Sequence, residues 1–121
     1  MDVKLTAEQH RRIEEIEGYL KVVDRLRRFV AELESNRAAS NRVIQNICES
    51  LGRELSHLRQ RALTSNVGTV ADLAGAMSVM ATRGGGLNMK LRGLNDGLNS
   101  MTMQLEQALK QASTPESKRQ A

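Results

Sequence analysis

An all-helical fold is predicted by three properties of this 121-residue sequence: few aromatic or proline residues, apolar residues at heptad spacing, and opposite charges four positions apart. There is no Trp, and Tyr19, Phe29 and Pro115 are the single examples of their types. A core drawn from Leu, Ile, Val, Met and Ala suits helix-on-helix packing, whereas sheets favour β-branched and aromatic side chains between frequent turns. The expected architecture is an antiparallel helical hairpin of two long helices in one domain, residues 1–112. Residues 113–121 are expected to form a flexible tail.

The first helix is expected to start at Ala7. Thr6 and Gln9 have the spacing of a capping box, in which the hydroxyl accepts an otherwise orphaned amide and the Gln side chain reaches back. Ile16, Val23 and Val30 then occupy one seam position, and Tyr19, Leu26 and Leu33 the other. The same count reaches Ile44, Ile47, Leu51 and Leu58 after passing through Arg37 and Ser40. The polar stretch 35–41 is either a loop or a helical interruption. Its kept phase and its lack of Gly and Pro favour a continuous helix over 7–62. Glu8 and Arg12, Glu17 and Lys21, Asp24 and Arg28, and Glu49 and Arg53 are acid-first pairs four apart, as on a solvated helical face.

The segment 63–68 (LTSNVG) is the reversal point, with Asn66 and Gly68 suited to left-handed backbone angles. Thr69 is expected to cap the second helix, with Asp72 answering its amide end. Apolar positions follow at Val70, Leu73, Met77 and Met80, then at Leu87, Leu91, Leu94, Leu98, Met101, Leu105 and Ala108. Three successive glycines at 84–86 each cost about 1 kcal/mol in a helix relative to Ala, so a kink or short break is expected there. Small residues over 71–81 permit close helix approach, and Met77 and Met80 fill the remaining gaps. Gly93 and Gly97 lie off the seam and weaken the helix unless packing holds it. Pro115 ends it, since the residue before a proline avoids helical angles.

The net charge of +4 is spread as −1 over 1–34, +3 over 35–62 and +2 over 63–121, with no single-sign block of the kind found in nucleic-acid tails. Lone Cys48 forms no internal disulfide, and the sequence start lacks the apolar stretch of a secretory signal. A cytoplasmic location is the default expectation. The uncharged run 73–81 is about half a membrane span.

Candidate chemistry is sparse. Glu54 and His57 form one E-x-x-H pair, where carboxylate-bridged di-iron bundles use two; a surface pair is expected. His10 has no acidic or thiol partner at ligand spacing. Cys48, beside Ile44, Ile47 and Leu51, reads as a small buried hydrophobe. Arg83 with the glycines 84–86 and Lys90 lacks the spacing of a phosphate-binding loop and reads as a hinge or close-packing element. The basic clusters Arg25, Arg27, Arg28 and Arg53, Arg59, Arg61 are interspersed with acids and have no aromatic platform for stacking bases. No family motif is carried by the pattern: the W-x-G turn of small secreted helical hairpins is replaced by Asn66-Val67-Gly68.

Two helices bearing one apolar stripe each leave seam uncovered, so the hairpin is expected to complete a four-helix bundle or coiled coil by oligomerisation. Ile16, Val23, Leu26, Val30, Leu33, Ile44, Leu87, Leu91, Leu94, Leu98, Met101 and Leu105 are the expected oligomer or partner interface. The expectation is a non-catalytic protein–protein interaction module, a scaffold, adaptor or assembly subunit, acting as a homo-oligomer or within a hetero-oligomeric helical complex. No cofactor, metal or small-molecule substrate is expected. A helical protein that associates with nucleic acid through its +3 segment, and a cytosolic chaperone or secretion-apparatus subunit, are the alternatives.

Overall fold

The computed structural model describes residues 4–65, 67–83 and 85–115. Among them all regular structure is helical: α1 (Ala7–Ser35), α2 (Asn41–Ala62), α3 (Val70–Thr82) and α4 (Leu87–Ala112). The tail 116–121, Asn66 and Gly84 lie outside the described residues.

The capping box forms as the sequence requires. The Gln9 amide donates to Thr6 Oγ1 at 3.0 Å, and the Thr6 amide donates to Gln9 Oε1 at 3.0 Å. The helix does not run on to residue 62. It ends at Ser35, where the Asn36 amide bonds back to the last turn and Asn36 Nδ2 donates to the Glu32 carbonyl at 2.7 Å. Ser40 then opens α2, accepting the Val43 amide at 3.4 Å. The kept heptad phase misled because a loop does not propagate helical periodicity. Phase agreement across a polar stretch therefore cannot distinguish a turn from a continuous helix.

The remaining boundaries refine the expectation. Gly68 adopts φ 51°, the left-handed conformation a reversal needs. Thr69 stands before α3 without a side-chain cap; its amide donates to Gln104 Oε1 on α4 at 2.7 Å, and Gln104 Nε2 donates to Thr69 Oγ1 at 2.8 Å. The start of α3 is thus tied by a neighbouring helix and not by the hydroxyl cap expected from the sequence. The second expected helix is divided in two: α3 ends at Thr82 with Arg83 in extended backbone, and α4 begins after Gly86.

Successive helices run antiparallel, and α4 returns beside α1. Arg12 reaches the Ser65 carbonyl (2.5 Å), Ser78 reaches the Gly52 carbonyl (3.1 Å), and Arg27 reaches Thr102 Oγ1 (2.9 Å). Each helix packs against two neighbours, in the ring order α1, α2, α3, α4. This is an up-down-up-down helical bundle closed within one chain. The ring is also closed at its termini: Gln9 Nε2 donates to the Thr114 carbonyl at 2.7 Å, joining the first turn of α1 to the end of α4.

The core is one cluster fed by all four helices. Tyr19, Ile16, Leu26, Leu33, Leu51, Leu55, Leu58, Leu94, Leu98, Met101 and Leu105 are among its fully buried side chains. Tyr19 carries the one deep aromatic hydroxyl, which donates to the Arg61 carbonyl at 3.0 Å and bonds to Ser65 Oγ. In α3 the buried stripe is Val70, Ala74, Met77 and Ala81, so Leu73 and Met80 rotate away from the seam position expected of them. Short Ala side chains let α3 sit close, and Met77 lies over Gly97 while Met80 lies over Gly93. The two off-seam glycines of α4 are the channel that receives those methionines.

Candidate interaction surface

The residues expected to meet a partner are mostly consumed inside the chain. Ile16, Val23, Leu26, Val30, Leu33, Leu91, Leu94, Leu98, Met101 and Leu105 are buried within the single-chain core, while Ile44 and Leu87 are half-buried against it. The reason is topological: four amphipathic helices from one chain supply the layers that a two-helix hairpin needs from another. Any surface that meets other molecules must be built from what this core leaves outside.

Among the described residues six large hydrophobic side chains remain exposed: Val43, Leu63, Val79, Met80, Met89 and Met103. Four of these belong to α3 and α4. At 100° per residue, the outward stripe of α3 passes through Asp72, Ala76 and Val79, opposite its buried stripe of Val70, Ala74, Met77 and Ala81. The outward stripe of α4 passes through Met89, Asp96 and Met103, with Arg92 beside it. Val79 is 46 % exposed, Met89 80 % and Met103 73 %. Met80, 36 % exposed, bridges the stripes where it crosses Gly93.

At one end this face dips into a hollow of about 260 Å3 lined by Met80, Arg83, Gly85, Gly86, Met89 and Lys90. Its walls are apolar and its rim is basic. Methionine thioethers are unbranched and polarisable, so such a surface adapts to differently shaped apolar partners. Sequence reasoning missed it because Met80 was assigned to the seam and Met103 to no role. Helical phasing of Ala74 and Ala81, in place of Leu73 and Met80, is the signal that locates it.

Most of the other candidates lie against neighbouring helices of the fold. Glu54 and His57 line a groove between α1 and α2, where Arg25 Nη1 lies 3.4 Å from Glu54 Oε1. In the same groove the Arg61 guanidinium lies 5.1 Å from the Tyr19 ring centroid. Arg27 bonds to Asn99 Oδ1 and Thr102 Oγ1 on α4, and Arg59 lies against Gly75. His10 is exposed on the first turn of α1. Cys48 is buried, with Lys90 Nζ 4.0 Å from its Sγ. Among the described residues no helix is long and apolar enough to cross a membrane.

Comparison with known proteins found no matching family model, no similar curated protein and no similar solved structure.

Proposed function

We propose that this chain is a non-catalytic helical interaction module, working in a reducing, cytoplasm-like compartment as a scaffold, adaptor or assembly subunit. The observation that carries the reading is the concentration of exposed Val79, Met80, Met89 and Met103 on the outer side of one helix pair. Exposed apolar groups scattered singly are ordinary, but Met80 and Met89 share one apolar hollow with Arg83 and Lys90 at its edge, an arrangement that supports a site for protein contact. The candidate residues for chemistry, in contrast, are solvent-facing or committed to bonds within the bundle.

Photo-crosslinking residues incorporated in turn at Val79, Met89 and Arg53 test this reading in cells. Discrete adducts from positions 79 and 89, with none from 53 on the outer side of α2, are the expected result. Adducts from 53 alone, or the same diffuse labelling from all three, would contradict it.

A further inference from the structure

We propose that the end of the bundle carrying the 36–40 and 83–86 connections docks on an anionic lipid surface. The inference goes beyond the protein-contact reading and concerns the end of the molecule, not the length of its side. In the antiparallel ring the last turns of α1 and α3 and the first turns of α2 and α4 meet at this end. The Arg37 guanidinium donates to Asn88 Oδ1 across it, and a hollow of about 280 Å3 joins Asn41 and Ile44 to Thr82, Arg83 and Lys90.

The net charge of the chain is concentrated there. Within about two helical turns of this end, over 28–48 and 75–94, stand six basic residues, Arg28, Arg37, Arg42, Arg83, Lys90 and Arg92, and two acidic ones, Glu32 and Glu34. One position further in, Arg27 and Glu49 offset each other. Of the 18 basic and 14 acidic residues in the chain, the other 12 and 12 cancel, so the whole excess of +4 belongs to this end. All six cations except the half-buried Lys90 are exposed. Four of the six exposed large apolar side chains among the described residues stand at the same level. They are Val43 in the first turn of α2, Val79 and Met80 near the end of α3, and Met89 in the first turn of α4. The connections add no acid, and a Cβ at Gly85 or Gly86 would meet nothing within 4 Å.

This combination fits a lipid surface better than another polyanion. Interfacial proteins bury apolar groups about 5–10 Å deep, the height of one to two helical turns, while their cations meet anionic headgroups. A bilayer meets Val43, Met80 and Met89 together although they come from three helices, whereas a partner helix occupies one groove. A nucleic acid offers phosphates but nothing apolar to those side chains. Phe29, the one aromatic ring at this level, packs against the core and gives bases no platform. A bundle standing on this end leaves the outer side of α3 and α4 beyond those turns clear for a protein partner.

The test is co-sedimentation of the full chain with vesicles of phosphatidylcholine alone and with about 30 % phosphatidylserine, in about 0.1 M and about 0.5 M salt. Binding is expected to the anionic vesicles only, and at least about tenfold weaker at the higher salt. Arg42→Glu with Arg83→Glu, and separately Met89→Asp, should each weaken it at least about tenfold. Arg11→Glu with Lys110→Glu makes the same change in net charge at the opposite end, and Met103→Asp the same change of side chain farther along α4. Both controls should bind within about threefold of wild type. Far-UV circular dichroism of each variant confirms that the bundle persists. No binding to the anionic vesicles, equal binding to both kinds, or equal losses in the end variants and their controls would overturn the proposal. Binding to duplex DNA or to an acidic peptide in place of the vesicles would overturn it too, and would give the basic end to that partner.

Discussion

Gly93 and Gly97 lie one turn apart on α4, and the same substitution at each should change stability in opposite directions. Replacing a glycine by alanine inside a helix contributes about 1 kcal/mol through reduced backbone freedom in the unfolded chain. At Gly93 the added Cβ would meet the end of Met80, its Sδ and its Cε, the latter at 2.7 Å. Met80 is partly exposed, and rotating its terminal bonds into solvent forfeits about 0.5 kcal/mol of packing. Gly93→Ala is expected to stabilise by about 0.5 kcal/mol, the difference between the two effects. At Gly97 the Cβ would fall 2.5 Å from Met77 Sδ, 2.9 Å from its Cγ and 3.0 Å from its Cε. Met77 is buried, and because Cγ is involved, turning the methyl end alone does not relieve the overlap. Overpacking of a closed core costs about 1–3 kcal/mol, which exceeds the helical gain, so Gly97→Ala should destabilise by about 1 kcal/mol. Urea unfolding followed by circular dichroism resolves the gap of about 1.5 kcal/mol, and the slope should be unchanged in both variants. Equal stabilisation of the two, or a Gly97 variant more stable than the Gly93 variant, would refute the glycine channel as the receiver of these methionines.

Three further substitutions probe other parts of the structure. Leu94 is fully buried, and Leu94→Glu places a carboxylate with no partner in the core, a change costing several kcal/mol; the chain should lose its far-UV helical signal even at high dilution. Gln9→Ala removes the side-chain half of the capping box and the tie to Thr114, and should cost about 1–2 kcal/mol. Amide exchange should quicken together at the first turn of α1 and the last turn of α4, two segments far apart in sequence. Gly68→Ala forces a side chain into the left-handed conformation and against Gln104 Oε1 at 2.5 Å, so a loss of about 1–2 kcal/mol is expected by thermal unfolding. The loss should shrink in a Gln104→Ala background if the contact with that side chain contributes.

Much of the fold is legible wherever a local rule and the global packing agree. Thr6 and Gln9 set the start of α1, the apolar heptads of α1 and α4 identify buried residues from Ile16 to Leu105, and the glycines near 85 mark an interruption. The turn at 36–40 was harder because its stop signal is made of hydrogen bonds and not of special backbone residues. Asn36 and Ser40 end one helix and start the next, and neither needs a glycine. The rotation of α3 was hidden for a different reason. Hydrophobicity ranks Leu73 and Met80 above Ala74 and Ala81, but close packing beside α2 and α4 rewards small volume. The Thr82 methyl would lie 2.5 Å from a Cβ at Gly52, which shows how little space separates α2 from α3. That one inversion moved the exposed methionine face out of sight. Once the chain supplies four helices, the heptad residues expected at an interface become the interior, and the surface for partners must be sought among residues the heptads exclude.

The measurement that tests this account most directly is the distance between spin labels at Lys21 on α1 and His57 on α2, read by pulsed dipolar spectroscopy with labelled chain diluted into unlabelled chain. Antiparallel neighbours packed at ordinary interaxial separation should give a narrow distribution centred at about 20 Å or less. A distribution centred near 54 Å, about 1.5 Å for each of the 36 intervening steps, would mean that α1 and α2 are one continuous helix and that the closed bundle is wrong.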